Sequence, residues 1–140
     1  MAKQFVVQLK NEPGAMATLA EAIAARGIDL RAIGGGSIGD SGHVIMTTAD
    51  DEATKAVLDE RGYVYIEGES ILAEVDDRPG GMATIARALA DAGVNIYGHL
   101  FLGRWGDRAM FAFVVDNPDK ARPILEIGRA SCRERVLTGV

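Results

Sequence analysis

At 140 residues the chain can bury one large core or two small ones, and 48% hydrophobic and 25% charged side chains suit a globular protein. A net charge of −5 argues against nucleic acid or an anionic membrane as the main partner, because phosphate binding needs dense Lys and Arg. No apolar run approaches the roughly 20 residues of a spanning helix, and Met1-Ala2-Lys3-Gln4 does not open a signal peptide. The single cysteine, Cys132, excludes an internal disulfide and a cysteine-based zinc site. The expectation is a cytoplasmic protein without metal or cofactor.

The first predicted element is a short strand over Gln4–Leu9. A helix follows, in which Met16, Leu19, Ala20, Ile23 and Ala24 recur at three- and four-residue steps. Pro13 is expected in its first turn and Gly27 just past its end. A strand over Ile28–Ile33 comes next, then a turn and a strand over His43–Thr48. Within that connection, Gly34-Gly35-Gly36-Ser37-Ile38-Gly39 contains G-x-G-x-x-G. A dinucleotide loop must lead from a strand into a helix, whereas here a strand follows. The segment therefore reads as a hairpin turn with Gly39-Asp40-Ser41-Gly42 at its tip. A second helix opens at Asp50-Asp51-Glu52, and Tyr63–Ile66 closes the series as a strand.

The order then starts again. Pro13-Gly14-Ala15-Met16-Ala17-Thr18-Leu19-Ala20 returns 66 positions later as Pro79-Gly80-Gly81-Met82-Ala83-Thr84-Ile85-Ala86. Gly27-Ile28-Asp29-Leu30 becomes Gly93-Val94-Asn95-Ile96, and Asp50-Asp51 is set against Asp116-Asn117. Strands are expected over Ser70–Val75, Val94–Leu102 and Ala109–Val115, with a last helix opening at Asn117-Pro118 and weakened by Pro123. The fold class is α+β: two ferredoxin-like βαββαβ repeats, 1–68 and 69–125, with antiparallel sheets and helices on one face. Glu126-Ile127-Gly128-Arg129-Ala130-Ser131-Cys132-Arg133-Glu134-Arg135-Val136 breaks the pattern and resembles an in-frame translation of a sequencing-library adapter. Residues 126–140 are read as a non-native tail, and the second copy is expected to lack its own last strand.

The loops that lead from the first strand into the first helix of each copy are the candidate site. They hold Asn11, Glu12, Pro13, Gly14 and Ala15, and in the second copy Asp77, Arg78, Pro79, Gly80 and Gly81. Unpaired N–H groups and the positive dipole end at a helix start suit a carboxylate, and glycine lets a ligand approach the backbone. The same residues also suit plain turn and cap chemistry. Asp29 and Asn95 open the second strand of each copy, which is expected to run beside the first. On that reading Asn11 pairs with Asp29, and Asp77 with Asn95, around a small zwitterion. A turn role for Asp29 remains the alternative.

Asp77-Arg78-Pro79-Gly80-Gly81-Met82-Ala83, followed by Ala92-Gly93-Val94-Asn95-Ile96, resembles the ACT domain, an amino-acid-sensing module of metabolic enzymes and regulators. The resemblance covers about 3 to 125 in two copies and is weaker in the first, which has Asn11-Glu12-Pro13-Gly14 and Gly27-Ile28-Asp29-Leu30. It implies that Asp77 and Asn95, and Asn11 and Asp29, contact an effector. Where such domains offer Asn, the second repeat has Asp77, which favours a ligand's ammonium end and repels an acidic ligand.

His43 and His99 have no ligating neighbours at metal spacing, and Tyr97 and His99 read as sheet-face residues. Arg104-Trp105-Gly106-Asp107 fits a hairpin connection that exposes an aromatic ring. No catalytic triad order, paired-carboxylate pocket or P-loop is present. The expected function is non-catalytic regulation: binding of an amino acid or similar metabolite by a homodimer. The rivals are a regulatory fragment of a longer enzyme of amino-acid metabolism and a purely structural dimerisation module.

Overall fold

The computed structural model describes residues 3–126. Its elements are β1 (Lys3–Lys10), α1 (Ala15–Ala25), β2 (Leu30–Ile38), β3 (Ser41–Thr48), α2 (Asp51–Glu60) and β4 (Tyr65–Glu69). The order then repeats as β5 (Ile71–Asp76), α3 (Gly81–Asp91), β6 (Ile96–Trp105) and β7 (Arg108–Val115), with a further helix, α4, over 118–126. The chain divides into two compact units between Glu69 and Ser70. The first has the full β-α-β-β-α-β order, and the described residues of the second run β-α-β-β-α. Both sheets are antiparallel, in the order β2-β3-β1-β4 and β5-β7-β6.

Alternation along each strand sends one set of side chains to the helices. In the first unit Phe5, Val7, Val44 and Met46 pack against Leu19 and Ile23 of α1 and Val57 and Leu58 of α2. In the second, Ile71, Ala73, Val75, Phe113 and Val115 meet Ile85 and Leu89 of α3 and Ala121 and Leu125 of α4. Each fully buried aliphatic or aromatic side chain of this kind contributes about 1.5–3 kcal/mol. The sheet thus carries both helices of a copy on one face. Pro123 does not end α4: its neighbours Ala121 and Leu125 stay buried on the core side.

Helix ends follow the sequence signals closely. Gly27 N–H bonds to the Ala24 carbonyl and Ile28 N–H to that of Ile23; Gly93 and Val94 do the same to Ala90 and Leu89. The Asp50 side chain caps α2 by accepting from Ala53 N–H at 3.0 Å. Its counterpart is Asn117, which accepts from Lys120 N–H at 3.2 Å. These caps lie 67 positions apart, not 66, which corrects the alignment of Asp50-Asp51 with Asp116-Asn117. The cause is one extra residue in β6: the register slips between Phe101 and Gly103, leaving Leu102 as a bulge.

Three further expectations change. Pro13 and Pro79 stand before their helices, because Gly14 and Gly80 turn the chain in a left-handed conformation and act as the caps. Gly34, Gly35 and Gly36 belong to β2, paired with Ile45, Val44 and His43, and the hairpin tip is Gly39-Asp40 alone. The fourth strand begins at Tyr65 and not Tyr63, since Tyr63 N–H closes the end of α2 on the Leu58 carbonyl. The expected non-native tail touches the described residues only at Glu126, an exposed residue of α4. The rest of that tail, Cys132 and the second copy's last strand lie outside them.

The hydroxyl of Tyr65 donates to Asp59 Oδ1 at 2.6 Å. That hydrogen bond, then burial and the charges of Asp59 and Glu67, push the phenol up from 10.0 to about 12. A raised folded value means the contact stabilises fully below pH 10 and its contribution is lost as pH rises through about 12. In a spectrophotometric titration of the folded protein, one of the three tyrosines is expected to ionise near pH 12, and Tyr65→Phe to remove that late step. The absence of an ionisation near pH 12, or one that persists in Tyr65→Phe, would contradict the contact.

Candidate functional site

The β1–α1 loop is built by a backbone constraint. Gly14 and Gly80 have φ of +88° and +89°, a region side chains with a Cβ rarely enter, and each carbonyl then accepts the first helical bond, from Thr18 and Thr84. The loop thus delivers Asn11, Glu12 and Ala15, and in the second copy Asp77, Arg78 and Gly81, to the same corner of each unit.

In the first unit this corner is open. A cavity of about 420 Å³ lies among the end of β1, the start of α1 and the glycine-rich end of β2. Leu9, Met16, Ile33 and Val44 give it apolar walls, and Lys10, Asn11, Glu12, Ser37 and His43 contribute polar groups. Met16 and Ile33 are 45% and 42% exposed, so apolar surface is available to whatever enters the cavity. Gly35 keeps the wall bare: a Cβ there would stand 2.3 Å from the His43 carbonyl oxygen. The Asn11 amide is already engaged, donating through Nδ2 to the Gly39 carbonyl at 2.8 Å, which ties the loop to the hairpin tip. Pro13 and Gly14 line a broader depression of about 730 Å³, together with Thr18, Asp40, Arg61 and Tyr63.

The expected partnership of Asn11 with Asp29 does not occur within the copy. β3 lies between β1 and β2, so the second strand does not run beside the first. β2 is parallel to β1 and starts at Leu30, opposite Thr48, whereas Lys10 ends β1 opposite Ser41. Asp29 therefore sits at the foot of the sheet and Asn11 at its head, a strand length of roughly 25 Å apart. Its carbonyl accepts from Ala49 N–H at 3.0 Å. Asn95 has the same position in the second copy and exchanges bonds with Asp116: its N–H donates to Oδ1 at 2.9 Å and its carbonyl accepts the Asp116 N–H at 3.0 Å. Asp77 and Asn95 are separated in the same way.

The second corner is occupied by its own side chains. Asp77 Oδ2 lies 2.9 Å from Arg104 Nε, and Asp76 pairs with Arg108 and with Arg78, the latter at 3.2 Å. Arg108 is buried; Arg78 and Arg104 are exposed. Gly81 is buried as well, and a Cβ on it would stand 2.1 Å from the Asp76 carbonyl oxygen. Its small size serves helix-to-strand packing and does not open a path for a ligand.

Sequence reasoning missed Met16, Ile33, Ser37 and His43 as cavity residues, and Arg104 and Arg108 as partners of Asp77 and Asp76. The signal was present in the tight Gly39-Asp40 and Gly106-Asp107 hairpin tips. Counting back from the first puts Ser37 opposite Gly42, which itself faces Leu9, at the head of the sheet. Among the described residues no cluster of three His, Cys, Asp or Glu stands at metal-ligating distance, and no helix is long and apolar enough to cross a membrane.

Residues 3–62 match the family model of the ACT domain. The match runs from β1 through α2 of the first unit, short of β4, and includes the open corner. No curated protein matches the sequence. Among solved structures, protein BT0572 from Bacteroides thetaiotaomicron superposes with a TM-score of 0.70 at 21% identity, over 91% of this chain and 88% of that one. The ligand-free regulatory subunit of aspartate kinase from Thermus thermophilus gives 0.60 at 18% identity, over 91% of each chain. Aspartate kinase from Clostridium acetobutylicum gives 0.59 at 13% identity, over 89% of this chain but 32% of its own. These likenesses establish the fold.

Gly81→Ala is expected to cost about 1–3 kcal/mol, the range for overpacking against unyielding backbone. Urea unfolding measures it, and an unchanged midpoint would show that α3 is not held against Asp76 as described.

Proposed function

We propose that the protein is a non-catalytic regulator that binds an amino acid or closely related metabolite through its ACT-like modules. The observation that carries this reading is the open corner of the first unit, a cavity of about 420 Å³ with apolar walls and polar groups of both charge signs, Lys10 and Glu12. Its volume lies within the range of about 300–1,000 Å³ usual for small-molecule sites. A zwitterion meets the requirement of such a cavity: one end for a cation, one for an anion, and a body for the apolar walls. The ACT match over 3–62 and the likeness to a regulatory subunit of aspartate kinase support a regulatory, amino-acid-sensing role.

The loop residues Asn11, Glu12, Pro13, Gly14 and Ala15 are assigned to the ligand. Asp29, at the far end of the sheet, joins such a site only when another module brings its own foot to this corner. A cytoplasmic homodimer is the proposed state, with the edge strands β2 and β6 as candidate seams. Regulation then follows from linkage: a ligand held between modules favours one arrangement by no more than its differential affinity for it. The alternative of a regulatory piece of a longer enzyme draws support from the Clostridium aspartate kinase, in which a segment of this fold makes up about a third of the chain.

A thermal-shift screen against the twenty amino acids tests the reading. At a hundred times its dissociation constant a true ligand adds about 2.7 kcal/mol, which moves the melting midpoint by several degrees. A folded protein that no amino acid stabilises would favour the purely structural alternative.

A further inference from the structure

The two corners differ by a small set of substitutions that the strand registers align residue by residue. Gly35 faces Val44 in the first unit; Phe101 faces Phe111 at the same place in the second. Ser37, opposite Gly42, corresponds to Arg104, opposite Ala109, and Asn11 corresponds to Asp77. The bulge at Leu102 bends β6, and at that bend the strand carries an aromatic ring where β2 has no room even for a Cβ.

The consequence is that side chains stand in the second unit where the first is bare, Phe101 and the Arg104 side chain keeping 49% and 63% exposure. The rings of Phe101 and Phe111 stand 5.4 Å apart, and the Arg104 guanidinium lies over Phe101 at 4.9 Å from its centroid. The same guanidinium pairs with Asp77, so it already supplies the cation that this carboxylate would otherwise take from a ligand's ammonium group. Asp76 is likewise held between Arg78 and Arg108. Aromatic side chains thus take the apolar volume, and arginines take the charges.

We infer that the first unit alone takes the ligand, an amino acid with an uncharged apolar side chain, and that Phe101 and Arg104 plug the matching corner of the second. The inference rests on the amino-acid-binding reading and specifies its site and ligand class. The apolar preference follows from Leu9, Met16, Ile33 and Val44: an apolar side chain covers the exposed faces of Met16 and Ile33. Lys10 and Glu12 are the one Lys and the one Glu of the lining, which holds no Asp or Arg. Once they meet the ligand's carboxylate and ammonium, a third charge finds no further carboxylate, ammonium or guanidinium and is desolvated without an ion-pair partner.

The test is isothermal titration of the full chain with L-valine, L-leucine, L-isoleucine, L-methionine and L-phenylalanine, and with L-aspartate and L-lysine. The expected result is one equivalent of at least one apolar amino acid per chain, with the charged two at least tenfold weaker. Ser37→Arg, at an exposed position, transplants the plug and should weaken binding tenfold or more. Arg104→Ser should leave the first site's affinity unchanged, and Phe101→Gly with Arg104→Ser should add a second equivalent. Circular dichroism checks each fold; if the double variant does not fold, Ser37→Arg and Arg104→Ser decide. Binding that survives Ser37→Arg and is lost in Arg104→Ser would overturn the inference while leaving the amino-acid reading intact, as would two equivalents in the unaltered chain. A preference for L-aspartate or L-lysine would overturn the ligand class. No binding by any of the seven would overturn the inference, and the screen of all twenty would then show whether the broader reading falls with it.

Discussion

A strand that ends at Lys10 must turn its chain back onto the face of its own sheet within four residues, and the left-handed backbone at Gly14 makes that reversal possible. Gly80 does the same for β5 and α3 with nearly the same φ. Everything else at the head of each unit depends on this turn. It sets the first helix over the sheet, so that Leu19 and Ile23, or Ile85 and Leu89, reach the core. It also leaves the loop residues projecting at a corner where the sheet, the helix start and the hairpin tip converge.

From that shared constraint the two copies diverge through one extra residue, Leu102, and a few substitutions around it. Gly35 in β2 cannot carry a side chain, so the first corner is bare by necessity. At the equivalent position of β6, beside the bulge at Leu102, stands Phe101, with the Arg104 guanidinium over its ring. One copy therefore keeps a concave surface with unlike charges at its rim, and the other compensates its charges internally. One extra residue together with the changes from Gly35 to Phe101, Ser37 to Arg104 and Asn11 to Asp77 separates the two corners, with the order of the described elements the same from β1 to α2 and from β5 to α4.

The order of elements was legible in the sequence because it rests on local chemistry. Helix periodicity, the glycine stops at Gly27 and Gly93, and the caps at Asp50 and Asn117 all act within a few residues. The site was legible only in part. The loop residues could be located from turn chemistry, but their neighbours are set by strand order, which placed β3 between β1 and β2 and carried Asp29 to the opposite end from Asn11. Motif resemblance pointed most strongly to the second copy through Asp77 and Asn95, and the cavity described above lies at the first copy's loop. In the second copy, counting back from the Gly106-Asp107 tip reaches Arg104 opposite Ala109, whereas Phe101 lies beyond a bulge that no local pattern announces.

The most direct test of the open first corner is the map of backbone amide shifts as an apolar amino acid, L-leucine or L-methionine, is titrated into the folded protein. The account predicts that the shifts cluster at residues 9–16, 33–37 and 43–44, with 75–82 and 99–104 little changed. Shifts centred on the second set, with the first silent, would contradict it.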